Sequence, residues 1–269
     1  MQIQNKIFVV TGAGGGIGGE VVAKLLAKGA RVAAVDLRQE GLDAIKEKNP
    51  QFAEKLSLHA INITEREAVL ALPQAVVAAH GSVDGLINCA GIIQPFVKVN
   101  DLDFESIERV MNVNFYGTLN MIKAFLPTLL TRPEAHIVDV SSMGGFLPVP
   151  GQSVYGASKA AVKLLTEALY AELLDTPVHV SIVFPGATNT NITGNSNVKI
   201  PGAGGASSKD LGAKMLSASD AANIIVTGIE KNKPQIFTGS DSKMMNKLYR
   251  LNPVYATKLI AKQMKSLLQ

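Results

Sequence analysis

A tyrosine and a lysine four residues apart form the pattern in this sequence with the clearest chemical use. Tyr155 and Lys159 open a segment of helical periodicity, and Ser142 stands thirteen residues upstream, just past a predicted strand. Residues i and i+4 share one face of a helix, so the Lys159 ammonium is expected to approach Tyr155. A nearby cation would lower the pKa of the phenol from its usual value of about 10. The pair is therefore a candidate general acid/base, although the spacing alone also fits an exposed pair without function.

A glycine-rich turn between the first predicted strand and the first predicted helix is a candidate phosphate site. The turn fits two registers, GxxxGxG at Gly12, Gly16 and Gly18 or GxGxxG at Gly14, Gly16 and Gly19. Glycines let a phosphate approach the backbone, and the helix N-terminus supplies N–H groups and a positive dipole end. A tight turn without a ligand is the alternative.

Asp36 adds to the evidence for a dinucleotide, because it ends the second predicted strand eighteen residues after Gly18. Its carboxylate could accept hydrogen bonds from the hydroxyls of an adenosine ribose. A 2′-phosphate would meet the same negative charge, so Asp36 predicts NAD, with NADP less favoured. Arg38 could attract a phosphate, but we expect its side chain to point away from the face that Asp36 presents.

The elements around these residues alternate between short apolar runs and longer helical patterns. We predict strands at Ile7–Val10, Arg31–Asp36, Leu56–Ala60, Gly85–Asn88, His136–Ser141, His179–Phe184 and Gln235–Thr238. We predict helices at Ile17–Lys28, Glu40–Lys48, Glu65–His80, Phe104–Leu130, Ser153–Leu174 and Ala218–Lys231. This α/β alternation indicates a single doubly wound, Rossmann-type parallel sheet with helices on both faces. Ligands then bind beyond the carboxyl ends of the strands. The glycine-rich segment 189–217 is expected to be a loop, either a lid or disordered.

Bulk properties exclude several classes of protein. The apolar share of 47% and charged share of 18% are those of a globular chain, and no apolar run reaches the length of a membrane span. The single cysteine, Cys89, and the absence of a signal-peptide pattern favour the cytoplasm. The net charge of +4 comes from residues 240–269, with six basic residues against one acidic, so nucleic acid is not an expected partner. The four histidines lack metal-ligand spacing, and no metal is expected.

The C-terminal segment is basic and amphipathic. We predict that residues 1–239 form the dinucleotide-binding and catalytic domain and that 240–269 form a helical extension. Its apolar stripe comprises Met244, Leu248, Leu251, Tyr255, Leu259, Ile260, Met264 and Leu267. Such stripes most often pack on protein, either their own domain or a neighbouring subunit. Contact with an anionic membrane, or a place over the substrate entrance, is the alternative.

Taken together, these motifs resemble the short-chain dehydrogenase/reductase family from Ile7 to about Thr238. They follow the order and spacing of that family. The motifs are TGxxxGxG at 11–18, Asn88-Cys89-Ala90-Gly91, Asn112-Val113-Asn114, Ser141-Ser142, YxxxK at 155–159 and Pro185-Gly186-Ala187-Thr188-Asn189-Thr190. Several weak motifs in one consistent order make a specific signal.

The resemblance implies an oxidoreductase that moves a hydride between a nicotinamide cofactor and a secondary alcohol or ketone. It implies that Tyr155 exchanges a proton with the substrate oxygen, which Ser142 hydrogen-bonds. Lys159 would hold the nicotinamide ribose and tune Tyr155, and Asn114 would support a water-linked proton relay. The expected cofactor contacts are Gly12, Gly16, Ile17, Gly18, Asp36, Asn62, Ile63, Asn88, Ala90, Gly91, Tyr155, Lys159, Pro185, Gly186, Thr188 and Thr190.

Two positions depart from the common pattern of that family. Asn62 stands where an adenine-contacting aspartate is frequent, and Cys89 stands where asparagine or alanine is common. We expect Cys89 to be a small buried residue, not a reactive thiol.

The substrate is expected to be a small apolar or mixed molecule. The pocket-lining residues would be Gln94, Phe96, Met143, Phe146, Leu147, Val149 and Gln152. The resemblance implies a homodimer or homotetramer whose subunit contacts would be made by Phe104–Leu130 and Ser153–Leu174. One alternative is a 3-oxoacyl thioester reductase, for which Lys199, Lys209 and Lys214 could provide a cationic entrance. Another is a non-catalytic, membrane-associated cofactor-binding protein, against which the intact set of Asn114, Ser142, Tyr155 and Lys159 argues.

Overall fold

The computed structural model describes residues 1–196, 198 and 215–265. Within these residues there are nine strands: β1 (Ile7–Thr11), β2 (Arg31–Asp36), β3 (Leu56–Ala60), β4 (Gly85–Asn88), β5 (Ala135–Val140), β6 (Val178–Pro185), β7 (Thr188–Asn189), β8 (Leu216–Ser217) and β9 (Gln235–Thr238). Seven of them form one parallel sheet in the order β3-β2-β1-β4-β5-β6-β9, and β7 pairs with β8 separately. The order reverses between β1 and β4, which is where a doubly wound sheet leaves a crevice for a ligand.

Ten α-helices accompany the strands in the described residues. They are α1 (Gly16–Ala27), α2 (Gln39–Lys48), α3 (Arg66–His80), α4 (Phe104–Met111), α5 (Thr118–Leu130), α6 (Ser153–Glu172), α7 (Ile192–Asn195), α8 (Ala218–Glu230), α9 (Ser240–Leu251) and α10 (Pro253–Gln263). One core cluster joins α1, α2 and α8 to the sheet, and a second joins α3, α5 and α6 to its other face. The predicted Rossmann-type fold is confirmed.

The central strands are apolar because both of their faces are covered. Every residue of β1 and of β5 is buried. Parallel strands covered on both faces lose the apolar–polar alternation of half-exposed strands. The predicted bounds of the seven sheet strands agree with the structure to within one residue.

The predicted helix Phe104–Leu130 contains an irregular turn. A π-helical turn at Asn112–Gly117 separates α4 from α5. Within it, the Thr118 hydroxyl donates to the Asn114 carbonyl over 2.8 Å. A π-turn is one residue wider than an α-turn. The buried positions on either side of it still recur every three or four residues, so the pattern from which the helix was predicted does not reveal it. Such turns are frequent at functional sites, and this one carries Asn114.

The predicted loop at 189–217 contains ordered structure at both ends. The pair β7–β8 joins its ends, and α7 follows β7. Ser196 is buried and accepts a hydrogen bond from the Ile93 N–H over 3.0 Å. The centre of the segment, with Lys199, Lys209 and Lys214, lies outside the described residues. The lid and the cationic entrance therefore stay predictions.

The C-terminal extension packs on its own domain as a helical hairpin. Met245, Ala256 and Ile260 form a buried cluster with Leu147. The predicted stripe is only partly confirmed. Leu248, Leu259 and Met264 also pack here, whereas Met244, Leu251 and Tyr255 are exposed. Met245 and Ala256 are buried where the stripe placed Met244 and Tyr255, each one residue earlier, so the packed faces of α9 and α10 are rotated relative to the predicted stripe. Leu267 lies outside the described residues.

Two structural absences concern the described residues alone. No helix within 1–196 or 215–265 is long and apolar enough to cross a membrane. In the same ranges, no group of three or more His, Cys, Asp or Glu side chains could hold a metal ion. The cytoplasmic location stays a prediction.

Candidate active site

The four predicted catalytic side chains come together beyond the carboxyl ends of β4 and β5. A methyl group built on Gly91 would lie 3.0 Å from Lys159 Nζ and 3.3 Å from Asn114 Oδ1. One built on Gly144 would lie 3.5 Å from both Ser142 Oγ and Tyr155 Cε1. Residues from the π-turn, the end of β5 and α6 thus pack closely around Gly91 and Gly144.

Ser142 and Tyr155 are the pair with groups suited to a substrate oxygen. The Ser142 hydroxyl accepts the Gly144 N–H over 3.0 Å, which leaves its own hydrogen to donate. A hydrogen bond from Ser142 lowers the pKa of Tyr155, but burial raises it more, so the pKa lies above its ordinary value. The predicted lowering is therefore wrong, because the phenol is desolvated. At neutral pH, Tyr155 is a neutral phenol that can donate its proton.

Lys159 does not lower the pKa of Tyr155, which was one of the two roles expected of it. Its ammonium donates to the Val140 carbonyl over 2.9 Å and does not contribute to the pKa shift of Tyr155. Burial lowers the pKa of Lys159 to about 8, while Cys89 and Asp139 act in the opposite direction. The side chain is therefore mainly charged at neutral pH and lies beside Gly91.

Asn114 is fully buried, and both ends of its side-chain amide are used. Its Oδ1 accepts the Ile92 N–H over 2.9 Å, and its Nδ2 donates to the Ile92 carbonyl and to Ser158 Oγ, each over 2.9 Å. Ser158 in turn donates to the Tyr155 carbonyl over 2.7 Å. Asn114 therefore links the segment after β4 to helix α6. A water-linked relay stays a prediction.

The glycine-rich turn fits the diphosphate of a dinucleotide. Gly12 and Gly16 have φ angles of +66° and +35°, a region that favours glycine. A methyl group on Gly12 would lie 2.9 Å from the Ala90 backbone, and one on Gly16 would lie 3.1 Å from Thr190 Cβ. Among the described residues, no side chain caps the start of α1 at Gly15. Its first N–H groups are thus available to an anion.

The other two predicted residues of the turn serve packing. A methyl group on Gly18 would overlap the Gly12 carbonyl, so the start of α1 lies directly against β1. Ile17 is half-buried against the core cluster that α1 shares with α8.

Asp36 and Arg38 lie on the side of this turn where the adenosine is expected. Asp36 Oδ2 accepts the Gly14 N–H over 2.9 Å, and Oδ1 accepts the Arg38 N–H over 3.1 Å. The Arg38 guanidinium donates over 2.8 Å to Asn195, whose amide lies beside Gly15. Arg38 therefore reaches over the glycine turn, and the prediction that it points away is wrong. The strand ends at Asp36, so strand alternation does not extend to Arg38.

Three predicted cofactor residues have protein partners. Asn62 Oδ1 accepts the N–H and the hydroxyl of Thr64 over 3.1 and 2.8 Å. Ile63 is buried in the core. Asn88 Nδ2 donates to Asp139 Oδ1 over 2.8 Å, which joins β4 to β5 inside the sheet. The side chains of Ile63 and Asn88 thus pack within the core and the sheet behind the site, and their cofactor contacts stay a prediction.

Cys89 and Asp139 lie near Lys159, and both are surrounded by packed protein that keeps water away from them. Burial raises the pKa of the Cys89 thiol to about 12, so it is uncharged at neutral pH, as expected of a small packing residue. Burial also raises the pKa of Asp139 to about 6, although Asn88 and Thr166 each donate a hydrogen bond to it.

The turn that follows β6 is held by a residue that the sequence did not single out. Asp241, at the start of α9, accepts the Ala187 N–H over 2.8 Å. Its carboxylate also occupies the space that a side chain on Gly186 would need. Thr188 donates to the Gly186 carbonyl over 3.1 Å, so the Pro185–Thr190 motif forms a compact turn. An acidic residue in the first turn of a predicted helix was the only available signal, and a solvated helix end explains it equally well.

The predicted pocket lining is corrected at three positions. Gln94 and Gln152 are buried. The Gln94 amide donates to the Gly151 carbonyl, and the Gln152 amide donates to the Gln94 main-chain carbonyl, both at the start of α6. Leu147 is fully buried under the C-terminal hairpin. Met143 and Phe146 are half-buried beside that hairpin, so the apolar side of the site includes α9 and α10.

Comparisons with known proteins identify the family and agree with the fold. The family model described as short chain dehydrogenase matches residues 6–200. The chain is 35% identical over 266 residues to "Putative oxidoreductase SadH" of Mycobacterium tuberculosis, covering 96% of this chain and 95% of that protein. A short chain dehydrogenase from Burkholderia cenocepacia, in complex with NADP, has a TM-score of 0.81 and 26% identity, covering 97% of this chain and 99% of that one. A short chain dehydrogenase/reductase from Burkholderia phymatum, in complex with NAD, has the same TM-score at 24% identity, covering 93% and 96%.

Proposed function

This chain belongs to the short-chain dehydrogenase/reductase family, and we propose that it transfers a hydride between a nicotinamide cofactor and a secondary alcohol or ketone. The observation that carries the proposal is the pairing of the half-buried Tyr155 phenol with the Ser142 hydroxyl, which hydrogen-bonds to it. Lys159 and Asn114 lie beside Gly91, next to this pair. Few other reactions need a neutral proton donor and a second hydrogen-bond donor next to a dinucleotide site.

The residues of this chain would handle the proton and the orientation of the substrate. The bound nicotinamide ring would supply or accept the hydride. In the reducing direction, Tyr155 gives its proton to the carbonyl oxygen, and it takes the proton back in the oxidising direction. Ser142 donates a hydrogen bond to the same oxygen. Lys159, charged at neutral pH, would hold the hydroxyls of the nicotinamide ribose, and Asn114 would support a water-linked relay.

The preferred cofactor is proposed to be NAD. Asp36 already accepts two backbone N–H groups at the ribose end of the turn, and it retains lone pairs for ribose hydroxyls. A 2′-phosphate would place its charge against this carboxylate. The neighbouring Arg38 guanidinium donates one hydrogen bond to Asn195 over 2.8 Å and keeps further donors, so it is the residue that acts against this preference.

The substrate is proposed to be a small apolar or mixed molecule. Its support is the apolar surface of Met143 and Phe146 beside the C-terminal hairpin. Since Met245 packs in the same cluster, the extension contributes to the shape of the substrate side.

We also propose a homodimer or homotetramer that forms through α4, the π-turn, α5 and α6. Large apolar side chains on these elements are exposed to solvent in the single chain, among them Leu164 at 67% exposure. The others are Phe104, Tyr116, Leu130 and Tyr170. Apolar patches of this kind are typical of subunit contacts.

The tip of the C-terminal hairpin is suited to peripheral contact with an anionic membrane. Leu251 is 85% exposed, and Val254 and Tyr255 are exposed next to it. The two helices carry exposed cations at Lys243, Lys247, Arg250, Lys258 and Lys262. Apolar side chains among cations match the boundary of a bilayer that contains acidic lipids.

The proposed reaction is tested by Tyr155→Phe. We expect turnover to fall at least about a hundredfold, because a general acid/base typically contributes that much. The dissociation constant for NAD should change little. Turnover is measured by nicotinamide absorbance with a panel of secondary alcohols and ketones, and NAD affinity by calorimetry. Tyr170→Phe, on the exposed side of the same helix, is the matched control. Near-parental turnover of Tyr155→Phe would contradict the assignment.

A further inference from the structure

Helix α6, which carries Tyr155 and Lys159, receives its N-terminal cap from a distant residue. Gln152 stands at the cap position, but its side chain makes no capping bond to the helix. The first N–H groups of any helix lack partners within the helix. Here the N–H groups of Val154 and Tyr155 donate to Gln94 Oε1 over 2.7 and 3.0 Å.

The orientation of the Gln94 amide is determined by its surroundings. Its Nε2 donates to the Gly151 carbonyl over 3.1 Å, and its main-chain carbonyl accepts Gln152 Nε2 over 2.9 Å. Gln94 has no exposed surface, and Gln152 is buried as well. Because the oxygen faces two donors and the nitrogen faces a carbonyl, rotation of the amide by 180° would break all three side-chain bonds. The two glutamines thus join the segment after β4 to the start of α6.

The same short segment contacts two other residues of the proposed active site, Asn114 and Lys159. Ile92, two residues before Gln94, is bonded through both main-chain groups to Asn114. Gly91, one residue earlier, lies against Lys159 Nζ. A displacement of this segment would therefore move Asn114, Lys159 and Tyr155 relative to one another.

We propose that Gln94 is a positioning residue for the acid/base Tyr155, an inference that rests on the proposed function. Tyr155 is the third residue of α6, so a cap bonded to its own N–H determines where the phenol lies relative to Ser142. A misplacement of about 1 Å in an active site can cost on the order of a hundredfold in rate. The neutrality of the amide also matters. A carboxylate could accept the same two N–H groups, but its charge would favour the neutral form of the nearby phenol.

The test compares Gln94→Glu and Gln94→Met. In Gln94→Glu we expect kcat to fall about ten- to a hundredfold, NAD affinity to stay within about threefold, and the pH profile of kcat/KM to move to higher pH. Gln94→Met keeps the length of the side chain without its polar atoms. It should lower kcat by at least as much, with no such movement of the profile. Gln51→Glu, an exposed residue with the same change of charge, is the control.

The outcomes separate this inference from the proposed function. A parental kcat and pH profile in Gln94→Glu would overturn the positioning role, even if Tyr155→Phe is inactive. An equal loss of NAD affinity, kcat and thermal stability in both variants would also overturn it, because it would indicate general structural damage. Retained turnover in Tyr155→Phe would instead remove the premise on which the role depends.

Discussion

Burial acts on Tyr155 and Lys159 in the same physical sense, since it disfavours the charged form of each. The pKa of the phenol rises, and the pKa of the ammonium falls to about 8. At neutral pH, the chain by itself therefore holds a protonated phenol and a mainly charged lysine. Asp139, whose pKa burial raises to about 6, is mainly ionised at neutral pH and favours that lysine charge.

At the residue scale, the charge of Asp36 is expected to decide the choice of cofactor. We expect kcat/KM with NAD to exceed that with NADP by roughly tenfold to a thousandfold, because one carboxylate repels a 2′-phosphate by a few kcal/mol. Asp36→Asn keeps an acceptor for the Gly14 N–H but removes the charge, and it should reduce this ratio at least tenfold. The exposed Asp43→Asn is the control. Equal use of NADP by the parent enzyme would show that Arg38 outweighs Asp36.

At the scale of elements, the site depends on contacts between pieces that are remote in the chain. Helix α9 holds the turn after β6 through Asp241, and Ser242 donates to the Phe184 carbonyl over 2.9 Å. The predicted division of the chain at residue 239 separates these residues from the turn they support. The extension thus supports the turn that carries the expected cofactor contacts Pro185, Gly186 and Thr188.

The role of α9 is tested by Asp241→Ala. Loss of the bond to the Ala187 N–H should loosen the turn and weaken NAD binding about five- to tenfold, a cost of about 1 to 1.5 kcal/mol. Asp241→Asn retains an acceptor at the same position and should lose less. Calorimetric titration with NAD measures both. If Asp241→Ala binds NAD as tightly as the parent, the turn does not need α9.

At the scale of the whole molecule, several large apolar side chains of the described residues are exposed, and two groups of them are the surfaces proposed above. One includes Leu164 on α6, and the other includes Leu251 at the hairpin tip. The two surfaces differ in the charges around them. The hairpin has no acidic residue after Asp241, whereas α6 carries Glu167 and Glu172 among its basic residues. The first surface is suited to another subunit and the second to acidic lipids.

These two assignments predict opposite effects of two substitutions. Leu164→Asp should lower the molecular mass in solution and leave vesicle binding unchanged, since a buried charge opposes subunit contact. Leu251→Asp should keep the mass and lose at least tenfold in binding to vesicles of acidic phospholipid. Light scattering gives the mass, and co-sedimentation gives binding, with neutral vesicles as the reference. A parent that is monomeric, or that fails to bind acidic vesicles, would refute the corresponding surface.

The sequence alone was sufficient to predict the sheet, its seven strands and the elements that carry Ser142, Tyr155 and Lys159, but not the π-helical turn that carries Asn114. These features depend on local periodicity and on motif spacing, which are properties of neighbouring residues along the chain. The fold class followed because alternating strands and helices have few compact arrangements.

Only the tertiary structure decided the environment of those residues. Gln94 reaches Tyr155 across 61 positions of the chain, and Asp241 reaches Ala187 across 54. The directions of the pKa shifts at Tyr155 and Lys159 depend on how much water the packing excludes. Arg38 was misplaced because strand alternation ends where the strand ends. Contacts between distant segments and exclusion of solvent arise only when the elements pack together, so no local pattern in the sequence records them.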